Sequence, residues 1–175
     1  MKKLMCAALC VLLLFAAAGC QTGKKVDTAF PAEKVAFGMD REEFLAAIDL
    51  ENAKGDTLRL PYYELGMEEA QLLGLPLVKS EETGEYYDVM CYFFNEFSAQ
   101  DRAGTFQMLQ APVLCKDLDA YLTELFGEPE PAGTMCGKKW TCKDDSQTPI
   151  YELHFVDTQQ DFDGQRAYHL MLEAP

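Results

Sequence analysis

Residues 86–94 read Tyr-Tyr-Asp-Val-Met-Cys-Tyr-Phe-Phe, and this stretch decides the fold that we predict. Aromatic and β-branched residues in such a run favour a β-strand whose side chains alternate between two faces. Both faces are apolar here, whereas a half-exposed antiparallel strand should alternate with polar residues. We therefore expect the second face to be covered by a helix or by the other half of the chain, with a partner protein as the alternative. The residues of that candidate binding face are Tyr86, Met90, Tyr92 and Phe94.

Runs rich in Tyr, Leu, Val and Phe on either side of this stretch predict further strands, because Gly and Pro separate them. The expected strands lie near 57–63, 71–78, 86–94, 104–110, 139–141, 150–156 and 166–173. The second of these has an alternative, since residues 66–73 could also form one helical turn.

Two segments have helical spacing. Asp40 can cap a helix with Glu43 three residues later, ahead of apolar residues at helical positions, which predicts a short helix over 40–50. The second helix has apolar residues spaced i, i+3, i+4, i+7 and i+8, and Gly127 ends it. Those apolar residues are Leu118, Tyr121, Leu122, Leu125 and Phe126.

The order of helix, strands, helix and strands predicts an α+β protein. We expect two helix-plus-antiparallel-sheet half-units in one compact domain over 35–175, with the half-units at about 35–112 and 113–175. The 156 residues from Cys20 to Pro175 are enough chain for one domain with a real core.

The first twenty residues have the layout of a secretory signal. Lys2 and Lys3 precede fifteen uncharged, mostly apolar residues, a run shorter than the roughly 20 residues that span a bilayer. Ala17-Ala18-Gly19-Cys20 resembles the lipobox of bacterial lipoproteins, with Ala at a first position where Leu is more frequent. The resemblance implies a signal peptide over 1–19, palmitate-type acyl lipid and diacylglycerol on Cys20, and a chain anchored on the extracytoplasmic side of the cell membrane. Residues 20–34 are polar and mixed, which predicts a flexible tether.

Two short motifs in the mature part resemble a second family. Phe37-Gly38-Met39-Asp40-Arg41-Glu42-Glu43-Phe44 is similar to the turn that opens the helix in small BamE-like envelope lipoproteins and in the β-lactamase-inhibitor fold. Leu125-Phe126-Gly127-Glu128-Pro129 is similar to the end of such a helix. The two motifs lie on different helices and cover about a dozen residues. The resemblance implies protein-protein binding without catalysis.

The charge balance excludes one class of partner. Without Lys2 and Lys3 the chain has 13 basic and 29 acidic residues, a formal net charge of −16, which repels phosphate backbones and makes nucleic acid an unsuitable partner. An acidic surface usually serves solubility, and the functional alternatives are a cationic partner or a divalent metal.

Four cysteines remain once the leader is removed and Cys20 is acylated: Cys91, Cys115, Cys136 and Cys142. Export permits disulfides, and the six-residue separation of Cys136 and Cys142 favours that pair over the others. The alternatives are free buried thiols, or zinc, whose usual ligand spacing is not present.

The last two strands and their connection carry the candidate metal ligands. His154 and His169 would lie directly opposite each other if Leu153 pairs with Leu170, and a register shift of two residues would separate them. Asp157, Asp161 and Asp163 precede the turn residue Gly164 and partly resemble a calcium loop, although Asp and Gly also suit a hairpin turn. Ca²⁺ or Zn²⁺ is therefore an alternative to the absence of any cofactor beyond the acyl lipid.

Three functions follow. We expect a non-catalytic, membrane-tethered binding or assembly module that recognises another envelope protein. The first alternative is a surface lipoprotein that binds a metal or small ligand. The second alternative is an envelope hydrolase with scattered carboxylates. It ranks third of the three functions because no catalytic motif of a known type is present.

Overall fold

The computed structural model describes residues 26–51, 53–67, 69–79, 88–94, 104–133 and 137–175. The predicted signal peptide over 1–19, Cys20, Tyr86 and Cys136 lie outside the described residues. Within the described part the chain is rich in β-structure, with two α-helices and a seven-stranded antiparallel sheet, which is compatible with the α+β class.

The described residues form nine strands: β1 (Thr57–Leu60), β2 (Gln71–Leu72), β3 (Leu75–Pro76), β4 (Val89–Phe94), β5 (Thr105–Cys115), β6 (Glu130–Pro131), β7 (Lys138–Lys143), β8 (Pro149–Phe162) and β9 (Gln165–Glu173). Seven of them form the main sheet in the order β1-β4-β5-β9-β8-β7-β6, and β2 and β3 form a small hairpin. The helices are α1 (Arg41–Ala47) and α2 (Leu118–Phe126), with a 3-10 helix at Tyr62–Leu65.

The predicted start of the first helix and the predicted end of the second helix are both confirmed. The Asp40 side chain accepts a hydrogen bond from the backbone N–H of Glu43 at 2.8 Å, so the predicted N-cap is formed. Asp117 caps α2 in the same way by accepting from Ala120 N–H, and Gly127 ends that helix with a positive φ.

The hydrophobic core lies on one side of the sheet. Leu58, Cys91, Leu109, Leu172, Leu153 and Trp140 face each other strand by strand across six strands. All six are buried, and they share the core with Phe44 of α1 and Leu118 and Leu122 of α2. Both described helices therefore cover the same face of the sheet, which we call the core face.

The division into two half-units is not confirmed. Strand β5 runs without a break from Thr105 to Cys115 and so crosses the expected boundary at residue 112. It pairs with β4 on one side and with β9 over Met108–Cys115 on the other. The backbone hydrogen bonds of the central strands join the two halves into one sheet.

Residues 26–34 are not the flexible coil that the sequence predicted. The carbonyl oxygen of Thr28 accepts hydrogen bonds from the Tyr151 hydroxyl at 2.7 Å and from the Cys142 thiol at 3.3 Å. Phe30 packs on Phe106 on the core face, and Ala32 is buried. The polar composition was misleading, because the few apolar residues of this segment lie in the core and its backbone carbonyl groups accept hydrogen bonds from buried donors.

Two strand predictions also need correction. The strand expected over 57–63 stops at Leu60, because Pro61 lacks an N–H and the chain turns into the 3-10 helix. The strand expected over 71–78 is split into β2 and β3 at Leu73 and Gly74, which both have the positive φ of a tight hairpin turn.

Candidate functional site

The sheet face opposite the core carries a mixture of apolar and polar side chains. Its members are Met90, Tyr92, Phe94, Met108, Gln110, His154, His169, Met171 and Glu173, and we call it the methionine face. None of its apolar members belongs to the core cluster or to the partly buried residues that pack against that cluster. Because both described helices lie on the core face, no described helix covers the methionine face.

The strand register brings these residues together in rows. Met90 faces Gln110, Gln110 faces Met171, and Met171 faces His154, so one row crosses β4, β5, β9 and β8. In the neighbouring row Tyr92 faces Met108, and Met108 faces Glu173. Phe94 is 50% exposed, and most of the other apolar members are half-buried by their neighbours in the sheet.

A chain of hydrogen bonds runs through the middle of the methionine face. The Tyr92 hydroxyl donates to Gln110 Oε1 at 3.2 Å, and Gln110 Nε2 lies 2.9 Å from Nδ1 of His169. With the amide nitrogen as donor, His169 Nδ1 accepts and the ring is neutral. Burial lowers the pKa of His169 below its usual value of 6.5, which favours the same neutral form.

We expect the His169 ring to titrate below pH 6.5 in the folded protein. The unfolded chain then binds the proton more readily, so stability decreases as the pH falls through the window between 6.5 and the lowered value. Ring proton shifts followed by NMR across this range measure the midpoint, and a His154→Gln variant assigns the signals. The midpoint should return to the ordinary value in denaturant, whereas a folded midpoint at or above 6.5 would contradict the expected burial effect.

His154 is the buried polar residue of the methionine face. Only 4% of it is exposed, its Nε2 lies 3.5 Å from Oε2 of Glu173, and its Nδ1 has no hydrogen-bond partner. A buried nitrogen without a partner costs free energy. The Glu173 side chain is 40% exposed, so its carboxylate lies between the buried His154 ring and the solvent.

The predicted pairing of His154 with His169 is wrong by two residues. Leu153 pairs with Leu172, and His154 lies across from Met171, whereas His169 lies across from Val156. The Asp163–Gly164 turn sets the pairing of Asp161 with Arg166, and the irregularity between Asp157 and Asp161 then shifts the register by two residues, which places His154 across from Met171. The two rings therefore sit in different rows of the face.

The predicted calcium loop is the end of a β-hairpin. Asp163 and Gly164 form its two-residue turn with positive φ at both positions, and Asp161 accepts from the Gly164 N–H at 2.9 Å. Asp157 pairs with Arg166 at 2.9 Å. Among the described residues no group of three or more His, Cys, Asp or Glu side chains is arranged to hold a metal ion.

The described cysteines are free and buried. Burial raises the pKa of Cys91 to about 12 and also raises that of Cys115, so both remain protonated thiols at neutral pH and are poor nucleophiles. Cys142 is a free thiol as well, which differs from the predicted disulfide with Cys136. Its Sγ–H donates to the Thr28 carbonyl, so in the structure this group holds the N-terminal segment against the sheet.

A shallow cleft of about 250 Å³ opens at one end of the methionine face. It is lined by Phe94, Gln107, Met108, Glu173 and Ala174. The lining combines the apolar side chains of Phe94 and Met108 with the acidic side chain of Glu173. Such a cleft can hold a long aliphatic side chain that ends in a polar or cationic group.

Comparisons with protein-family models, with curated proteins and with solved structures found no match. The resemblance to BamE-like lipoproteins therefore remains a prediction from the two short motifs. Neither described helix has the length and apolarity needed to cross a bilayer.

Sequence reasoning found only part of this face. It placed Met90, Tyr92 and Phe94 together on one side of their strand correctly. It did not find Met108 and Gln110, and the sequence signal that could have placed them is the polar Gln110 between Leu109 and Ala111. It could not predict that these residues lie side by side, because no local sequence pattern shows that β5 pairs with both β4 and β9.

Proposed function

We propose that this chain is an exported bacterial lipoprotein that binds another envelope protein through its methionine face, without catalysis. The observation that carries the proposal is the group of neighbouring apolar side chains on the methionine face. Met90, Met108, Met171 and Tyr92 are contiguous there, and none of them packs against the core cluster of the described residues. Contiguous apolar surface of a few hundred Å² is often functional.

The composition of the face supports protein recognition. Methionine side chains are flexible and polarizable, so they adapt to the shape of a partner. Tyrosine contributes a large contact area with a polar tip and is enriched in interfaces. Gln110 and His169 lie between the methionines and provide polar groups that set the orientation of a partner.

The packed N-terminal segment supports a close attachment to the membrane. Acyl lipid on Cys20 would leave residues 21–25 as the link to Val26, and a fully extended chain from Cys20 to Val26 spans at most about 20 Å. Thr28 is bound on the core face, through Tyr151 and Cys142. The anchor would therefore attach on the side opposite the methionine face and leave that face directed away from the lipid.

The proposed half-units at 35–112 and 113–175 would explain how the methionine face is assembled. The first would supply β4 and most of β5, and the second would supply β8 and β9. The methionine face would then be the surface where the two halves meet.

A photo-crosslinking amino acid placed at Met171 tests the proposal in intact cells of the producing bacterium. We expect a crosslinked product of one defined mass from position 171 and none from Glu124, an exposed residue of α2, the helix that packs on the core face. The same products from both positions, or none from position 171, would count against the methionine face as a binding surface.

A further inference from the structure

We propose that the partner segment bound by the methionine face is a basic amphipathic helix. The inference rests on the proposed function and adds the chemistry of the partner. It follows from three properties of the face: its size, its apolar centre and its acidic ends.

The size of the face suits a single helix. From β4 to β8 it spans four strands, and from Phe94 to the residues beside Met90 it spans about six residues, which together give roughly 20 Å by 20 Å, or about 400 Å². This area lies below the roughly 800 Å² per partner of a stable protein interface, so the face suits a short, weakly bound segment better than a second folded copy of this chain. A helix is about 10 Å wide and covers 20 Å in about 13 residues, so one such helix fits along the face.

The centre of the face fits the apolar side of such a helix. Met90, Met171 and Met108 surround Gln110, and their side chains can move to accommodate leucine or phenylalanine residues at helical spacing. The Tyr92 hydroxyl, the Gln110 amide and His169 Nδ1 are hydrogen-bonded to one another, which lowers the desolvation cost of covering these three groups.

Both ends of the face carry acidic groups. Glu173 lies at the cleft beside Phe94, and Asp88, two residues before Met90, lies on the same side by alternation at the other end. Cations lie at the edges of this side of the sheet: Arg59 across from Met90, and Lys139, whose charge is paired with Glu152. The whole chain has a formal net charge of −14, so its field attracts a positively charged segment and repels an acidic one.

The cleft at Glu173 gives the cationic end of the helix a specific position. A lysine or arginine stem can lie along Met108 and Phe94, with its charged group on the Glu173 carboxylate. His154 Nε2 lies 3.5 Å from Oε2 of that carboxylate, and the Glu173 side chain is 40% exposed.

Two synthetic peptides of about 18 residues test the inference, one with leucines at i, i+3, i+4 and i+7 and lysines on the other face, and one with glutamates replacing the lysines. The mature lipidated chain is reconstituted in nanodiscs of zwitterionic lipid, empty nanodiscs serve as the blank, and peptide anisotropy gives Kd. We expect the lysine peptide to bind at least about tenfold more tightly than the glutamate peptide, with a difference that shrinks in high salt.

Matched variants locate the contact. Glu173→Gln should weaken the lysine peptide by about threefold to fivefold, as for a partly exposed ion pair, and Met171→Glu should weaken it more. Glu124→Gln removes the same charge from the other side of the molecule and should leave Kd unchanged. Circular dichroism melting confirms that each variant is folded.

Equal binding of the two peptides, no binding of the lysine peptide, or equal effects of Glu173→Gln and Glu124→Gln would overturn the inference. The proposed function fails separately, through the photo-crosslink at position 171. A crosslink at that position combined with no binding of the lysine peptide would mean that the face binds a partner of different chemistry.

Discussion

Replacing Phe106 with alanine is expected to lower the free energy of unfolding by about 3–5 kcal/mol, the usual cost of removing a fully buried phenylalanine. Phe106 is 0% exposed. Its ring contacts four other aromatic rings with centroid distances between 4.9 and 6.3 Å: Phe30, Phe37, Phe44 and Phe93. These rings belong to the N-terminal segment, to α1 and to β4, so the cavity would loosen three parts of the fold at once.

Phe94→Ala is the matched control for this prediction. Phe94 is 50% exposed on the methionine face, so the same chemical change should cost less than about 1 kcal/mol. Urea denaturation followed by the fluorescence of Trp140, the single and buried tryptophan, measures both variants. A similar loss of stability in the two variants would show that the methionine face is packed against other parts of the chain in solution.

Replacing Cys20 with serine is expected to abolish lipid attachment and cleavage of the leader. At about 0.8 kcal/mol per buried methylene, two or more acyl chains anchor a protein stably, so this single oxygen-for-sulfur exchange should remove the largest contribution to membrane binding. Metabolic labelling with an alkyne fatty acid and the mass of the N-terminal peptide report the two changes directly. Labelling is the more informative measurement, because an uncut apolar leader can itself hold the chain at a membrane.

Cys10→Ser is the control within the same leader. It also removes one thiol, but it lies inside the apolar run and should leave labelling and cleavage intact. If the Cys20→Ser chain still incorporated the fatty acid, the anchor would be on another residue and the proposed attachment would be wrong.

The two helices could be predicted from the sequence because their signals are local. Asp40 and Glu43 of the first helix are three residues apart, and the apolar stripe of the second ends at Gly127, so each signal lies within one or two helical turns. The failure at residues 26–34 has the opposite cause. Thr28 is held by Tyr151 and Cys142, more than a hundred residues further along the chain, and no local pattern reports such a contact.

The sequence by itself determined the two described helices, most of the described strands and the common side of Met90, Tyr92 and Phe94 on their strand. Only the tertiary structure decided that β5 lies between β4 and β9, which joins Met90, Gln110, Met171 and His154 into one row. It also decided the two-residue shift that separates His154 from His169. The physical reason is that side chains alternate with a period of two, so a shift of two residues keeps every apolar group on its face. The Asp163–Gly164 turn and the irregularity between Asp157 and Asp161 together select the register.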